Sequence, residues 1–351
     1  MITKTVPSLH RLAEIREEIP VRKSWQAALA EAIRDPQELL KQLNLPVSLA
    51  EQSQLVPGFP LRVTHSFIQR MQPGDPHDPL LMQVLPLGAG SEEKERGEAD
   101  WGSLDPVADH DAMQAPGLLH KYEGRILLVS TAACAIHCRY CFRQHFPYQQ
   151  ANPLGTQWPA TLAYLNSNHD IHEVILSGGD PLSLSDQRLA RIIAQLDEVS
   201  HLTTLRIHTR LPVVLPQRID TALLNWVKET RLKVVFVLHI NHPNEINLEL
   251  QNALRLLQFP DVTLLNQAVL LRGVNDSTEI LVELSHKLFE AGVLPYYLHQ
   301  LDRVRGAAQF EVPVQTGGEL VSAMREKLPG YLVPKYVKEI PGEASKSPIF
   351  G

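Results

Sequence analysis

From residue 120 onward the chain settles into a regular alternation. Continuous apolar runs rich in β-branched residues appear at RILLVST (125–131), EVILSGG (173–179), TTLRIHT (203–209), KVVFVLHI (233–240), VTLLNQAVLL (262–271) and LPYYLHQL (294–301). Between most of them lie stretches whose apolar positions recur at helical spacing: QRLARIIAQLDEV, TALLNWVKET, INLELQNALRLLQ and TEILVELSHKLFEAG. From the second run onward the spacing is about 30 residues, the size of a βα unit. Strands without polar alternation, separated by amphipathic helices, predict a parallel sheet covered by helices. The six units fall short of an eightfold barrel. Periodicity alone fits a doubly wound open sheet and a partial barrel equally well.

The first third reads differently. Ser24 is placed to cap WQAALAEAIR, and Asp35 followed by Pro36 is placed to open PQELLKQLNL, so residues 24–45 predict two short helices. HSFIQRMQ (65–72) predicts another, ended by the turn-rich PGDPHDP. GAGSEEKERGEAD (88–100) has almost nothing to bury and predicts a mobile acidic loop near 88–104.

Composition narrows the class. The 351 residues are 44% hydrophobic and 21% charged, ordinary for a soluble globular protein. A net charge of −6 carries no basic excess, so no nucleic-acid footprint is expected. The apolar runs are too short to span a bilayer, and the opening MITKTVPSLHRLAEIREEIP lacks the apolar core of a secretory signal. A cytoplasmic protein with no membrane partner is expected.

Polar residues gather where the predicted strands end: Cys134 to Cys141, then SGGDP, HTR, HINH and NQ. Parallel α/β enzymes build their sites at that end of the sheet. All three cysteines of the chain lie in CAIHCRYC (134–141), spaced C-x3-C-x2-C. An odd number packed this closely makes no disulfide framework and suits a reducing compartment. A structural zinc would need a fourth ligand, and His137 or His145 would have to be squeezed into the same loop. Three thiolates on a four-iron cluster would instead leave one iron open to a substrate or cofactor. A zinc-bound interaction module without catalysis is the alternative from another class.

This cysteine spacing, with an aromatic at Tyr140 and a place after the first strand of a βα series, resembles the radical S-adenosylmethionine superfamily. The resemblance implies a 4Fe–4S cluster on Cys134, Cys138 and Cys141, with the remaining iron chelating S-adenosylmethionine. It also implies a partial (β/α)6 barrel preceded by a mostly helical segment. SGGDP stands in the place of the superfamily's Gly-Gly-Glu-type motif. Gly178, Gly179 and Asp180 are thereby implied at S-adenosylmethionine, the glycines letting the backbone approach its amino group.

A closer resemblance covers the chain from about residue 60 onward. PGLLHKYEGRILL, CRYCFRQHF, LSGGDPL, LPVVLPQRI, HINHPNE, LLNQAVLLRGVND and PYYLHQLD look like the lysine 2,3-aminomutase family. The implied activity is a radical 1,2-amino shift from L-α-lysine to β-lysine. Another cationic amino acid such as arginine is the alternative substrate. Pyridoxal phosphate is implied as a further cofactor, held by Lys346 in PGEASKSP. Lys121 stands where relatives use arginine for its phosphate, Tyr122 lies beside it, and Gln267 lines it. His239 is implied at S-adenosylmethionine. Arg143 is implied to clamp the substrate carboxylate, and Asp302 with Glu339 to hold its distant ammonium. Relatives carry aspartate at the second acidic position, so Glu339 lengthens that arm.

With the barrel so identified, the expected organisation is a helical segment over 1–118, the barrel over 119–330 and a C-terminal segment carrying Lys346 over 331–351. Longer family members bind an intersubunit zinc through a cysteine in the GVND loop and others near the C-terminus. Here Ser277 occupies that loop and the sequence ends at Gly351, so the zinc is not expected. The opening helices and the YLVPK…GE-x-SK-x-P ending look like a short bacterial branch. In that branch β-lysine is attached to translation elongation factor P by a partner ligase. The expected partners are therefore lysine, a reductant such as flavodoxin or ferredoxin, and that ligase through its product.

Overall fold

A computed structural model describes residues 24–350, apart from 54, 57, 86, 88–100 and 152. The reading of the first 23 residues and most of the expected acidic loop lie outside the described residues. From Trp101 the chain is pinned: its indole donates to Glu311 at 2.9 Å, and Ser103 bridges Val304.

The six expected strands all form, inside one ten-stranded sheet whose spatial order follows the chain. The strands are β1 (Met113–Ala115), β2 (Leu118–Tyr122), β3 (Arg125–Thr131), β4 (Glu173–Gly178), β5 (Thr204–Thr209), β6 (Lys233–His239), β7 (Val262–Val269), β8 (Leu294–His299), β9 (Lys335–Lys338) and β10 (Ser347–Pro348). Strands β3 to β9 run parallel, while β1–β2, β2–β3 and β9–β10 pair antiparallel. No ladder joins the first strand to the last among the described residues, so the sheet stays open as a partial barrel.

Helices Trp158–Ser167, Asp186–Asp197, Thr221–Glu229, Leu248–Arg255, Thr278–Glu290 and Val314–Lys327 fill the six crossovers between β3 and β9. Four of them start on a side-chain cap: Ser185, Asp220, Asn247 and Ser277 accept the backbone N–H of Arg188, Leu223, Leu250 and Ile280. Ser277 thus has a local task, since its oxygen satisfies a donor that the first helical turn leaves unpaired.

The expected helical segment holds Trp25–Ala30 and Pro36–Gln42, with Ser24 and Asp35 as caps. The helix expected over 65–72 is confined to His65–Ile68. The sequence reading missed the β1–β2 hairpin. It turns on Pro116 and Gly117, and the next hairpin turns on Glu123 and Gly124. Gly117 at φ +79° and Gly124 at φ +75° adopt the left-handed conformation that such turns require. The C-terminal segment is part of the sheet, because β9 extends the parallel ladder beyond β8.

The core lies between the sheet and its helices. Ile126, Leu128, Val174, Leu176, Leu205, Ile207, Phe236 and Leu238 point outward under the helices and are buried. The alternate residues of the same strands point inward. On β5 the inward residues are Arg206, which pairs with Glu173, and His208, so the inner face brings charged and polar groups to a cavity. Phe236 is fully buried in the outer layer. Phe236→Ala is expected to lower unfolding stability by about 3–5 kcal/mol, read from a denaturant titration followed by circular dichroism.

Candidate active site

Parallel strands bring their C-terminal ends to one rim, and the inner face behind that rim encloses a cavity of about 510 Å³. That volume lies in the range of small-molecule sites. The residues named above for the cluster, the cofactors and the substrate line it: the three cysteines, Lys121, Tyr122, Arg143, Gly178, Gly179, Asp180, His239, Gln267, Asp302, Glu339 and Lys346.

The cysteine loop leaves the end of β3 and is sewn to the end of β4. Gly179 N donates to Thr131 O at 2.7 Å, and Asp180 N to Ala133 O at 2.8 Å. A Cβ on Gly179 would stand 2.6 Å from Ala133 O. The sequence reading assigned this glycine's bareness to approach by a cofactor. In the structure the group that approaches is the backbone of residues 131–133. Asp180 is likewise committed to the protein. Its carboxylate accepts from Thr209 Oγ1 at 2.7 Å, from Arg210 N and Leu211 N at 2.7 Å each, and from Leu182 N at 3.1 Å. On the outer side His137 N donates to Arg62 O and Arg139 N to Gln83 O. The loop is held from both flanks.

The three thiols are free and partly buried. Burial, and then neighbouring negative groups, push Cys141 up to about 12 and raise Cys134 well above the ordinary thiol range. A thiolate set in this setting needs a cation to stabilise it. Three thiols on one short loop are a donor set that suits a cluster whose irons each take one thiolate.

Elsewhere in the cavity lining, beginning two residues past Cys141, charges meet in opposed pairs. Arg143 Nε donates to Asp109 Oδ2 at 2.7 Å and its Nη1 to Ser177 Oγ at 3.1 Å. Lys121 Nζ lies 2.8 Å from the other Asp109 oxygen, donates to Val107 O, and stands 3.7 Å from Glu339. Asp109 is buried. Burial opposes its charge, but Arg143 and Lys121 outweigh that and hold the carboxyl below its usual range. Glu339 receives Lys346 Nζ on one oxygen and the Tyr122 hydroxyl on the other, both at 2.5 Å. Burial again opposes ionisation, and Lys346 with Tyr122 and Lys121 reverses the outcome, so Glu339 is depressed. Asp302 has no such bonds among the described residues, and burial raises it to about 7.

His208, His239 and His299 also face the cavity. Burial, and then nearby cations including Lys346 and Arg210, pushes all three well down, so they are neutral at pH 7. His208 Nε2 is buried with no protein partner, a polar atom left for a ligand. His239 is engaged: its Nε2 lies 2.9 Å from the Tyr140 hydroxyl. His239, Gln267 and Tyr297 are neighbours across three strands.

Sequence reasoning placed His208 and Arg210, in HTR, at a strand end without a role, and did not pick out Asp109, Arg125, Arg206 or His299 as site residues; all but Asp109 lie in or directly after the predicted strands. For Arg206 and His208 a signal existed, the polar alternation in TLRIHT. Asp109 carried none.

The chain is similar to one protein family and to four known proteins. The family described as a 4Fe-4S single cluster domain matches residues 122–209. The L-lysine 2,3-aminomutase of Haemophilus influenzae is 46% identical over 95% of this chain and 96% of its own length. The protein of the same name from Escherichia coli is 43% identical over 94% and 95%, and that of Clostridium subterminale 36% over 93% and 77%. Among solved structures, a radical SAM methyltransferase from Sphaerobacter thermophilus aligns with a TM-score of 0.46 and 18% identity, over 63% of this chain and 68% of that one.

Gly179→Ala is expected to destabilise the protein by about 1–3 kcal/mol, because the added methyl meets backbone. Thermal unfolding should show the loss, and iron bound per chain after anaerobic reconstitution should fall with it.

Proposed function

The chain belongs to the L-lysine 2,3-aminomutase family, and from that footing we propose that it converts L-lysine to β-lysine using the residues gathered in this cavity. The cofactors are a 4Fe–4S cluster, S-adenosylmethionine and pyridoxal phosphate. When bound, they supply a one-electron route to an unactivated C–H bond and a carbonyl carrier for the migrating nitrogen. The observation that carries the reading is the meeting of three thiols, one lysine and opposed charges in a single cavity.

The chain's own residues divide the work. Cys134, Cys138 and Cys141 hold the cluster, and the Gly179 seam keeps their loop at the strand ends. Gln267 would line pyridoxal phosphate, and His239 would line S-adenosylmethionine. Lys346 would carry pyridoxal phosphate with Tyr122 beside it, and Lys121 with Arg125 would supply positive charge for its phosphate. Arg143 has its Nε and Nη1 fixed by Asp109 and Ser177, so its orientation is set before a substrate carboxylate arrives. Asp302 and Glu339 offer negative charge to the distant ammonium. Two acids there favour lysine over a substrate with an acidic side chain. Arginine is the competing cationic substrate.

We assign the physiological role to β-lysine supply for elongation factor P in the cytoplasm, with a flavodoxin or ferredoxin as electron donor. The motifs shared with the short bacterial branch support this. No helix among the described residues is long and apolar enough to cross a membrane. Deleting the gene should leave factor P without β-lysine. Fully modified factor P in the deletion strain contradicts the assignment.

Anaerobically reconstituted protein given L-lysine should yield β-lysine on chromatography, and should prefer it to arginine. Lys346→Ala and Cys138→Ala should abolish the product. Arg143→Lys, which loses the planar fork, should lower kcat/KM about 10- to 100-fold.

The pH dependence follows from Asp302. Its carboxyl is raised to about 7, so below pH 7 it is neutral and one of the two charges for the ammonium is missing. A raised carboxyl favours the folded state at low pH, and that contribution is lost as pH rises through 7. A bound ammonium offsets the loss. L-Lysine affinity measured by calorimetry should therefore weaken below pH 7, by at most about tenfold per unit, and Asp302→Asn should flatten that profile.

A further inference from the structure

Behind the cysteine loop both terminal nitrogens of the Arg210 guanidinium are held, while its Nε is buried without a protein partner. Its Nη1 donates to Cys138 Sγ at 2.8 Å and to the Tyr140 hydroxyl at 2.6 Å. Its Nη2 donates to Gln83 Oε1 at 2.6 Å and to Glu245 Oε2 at 2.9 Å. The backbone of Arg210 is anchored as well, its N–H donating to Asp180. Gln83 and Glu245 are fully buried and Arg210 nearly so. The other Glu245 oxygen accepts the N–H groups of Asn241 and His242, and the Asn241 amide donates to the Tyr140 hydroxyl. Moving the guanidinium would strip several buried polar groups of partners at once, which is costly. A guanidinium keeps its proton in proteins, and Glu245 at 2.9 Å pairs with it.

A cluster thiolate that receives a hydrogen bond from an immobile cation is electronically distinct from its neighbours. Reduction adds one electron to the cluster and makes it more negative by one charge, without breaking a bond. A fixed positive charge in a low-dielectric surrounding favours that state over the oxidised one, and hydrogen bonds to cluster sulfurs act in the same direction. We propose that Arg210, acting through Cys138, raises the reduction potential of the cluster, and that Glu245 is the counter-charge that limits the rise. Arg210 is a positioning residue in this role and Glu245 sets its strength. The inference rests on the reading that the three cysteines hold a 4Fe–4S cluster.

The test is a redox titration of the reconstituted protein without substrate, with dithionite as electron source and the reduced cluster followed by electron paramagnetic resonance. Arg210→Gln should make the cluster harder to reduce by at least tenfold, a fall of about 59 mV for one electron. Arg210→Lys, which keeps the charge but not the fork, should fall less. Glu245→Gln should move the midpoint upward. If Arg210→Gln fails to fold or to load iron, the upward shift in Glu245→Gln carries the test, and its absence overturns the proposal. Equal midpoints in iron-replete wild type and variants overturn the proposal and leave the cluster reading intact. A wild-type protein that takes up no iron and sulfide overturns both.

Discussion

Strands that run parallel must all end at the same rim, and the chemistry of this protein depends on that constraint. From β3 to β8 each strand delivers its last residues to one edge, where the next segment begins. The cysteine loop, Gly178 to Asp180, His208 to Arg210, His239 and His299 all stand at or just past these ends. The Gly179 backbone then locks the first loop to the second. Residues far apart in the chain become the walls of one cavity because the sheet permits no other place for them.

Charge sets the second constraint. Buried ions persist only when paired and hydrogen-bonded, and the cavity obeys this with few members. Asp109 serves Arg143 and Lys121 together, while Glu339 serves Lys346, Tyr122 and, at longer range, Lys121. Removing any one leaves an uncompensated group behind. The arrangement suits a substrate with a carboxylate at one end and an ammonium at the other. On the proposed function, each end would meet an opposed charge in place before binding, which reduces the cost of ordering.

Legibility in the sequence followed the range of the interactions. The strands at 173–178 and 233–239 were readable because continuous β-branched runs reflect burial on both faces, a local property. The β1–β2 hairpin was missed because its strands are short, although Pro116-Gly117 offered a turn signal. The cysteine spacing and Lys346 were readable through a resemblance to a known family. Asp109 was not, since its meaning lies in contacts with Lys121 and Arg143, and nothing around it forms a motif. Gly179 and Asp180 were seen, but the fold gives them a backbone seam and a turn to hold. Arg210 was quoted within HTR, yet only the structure joins it to Cys138, 72 positions earlier.

The central claim is that a cluster on the three cysteines and a cofactor on Lys346 share one cavity. Diffraction from reconstituted crystals at the iron absorption edge tests it most directly. The account predicts an anomalous iron peak within bonding distance of Cys134, Cys138 and Cys141, facing continuous density from Lys346 Nζ to pyridoxal phosphate across the same cavity. A single metal ion closed off by four protein ligands would contradict it, as would iron bound elsewhere or pyridoxal phosphate on a different lysine.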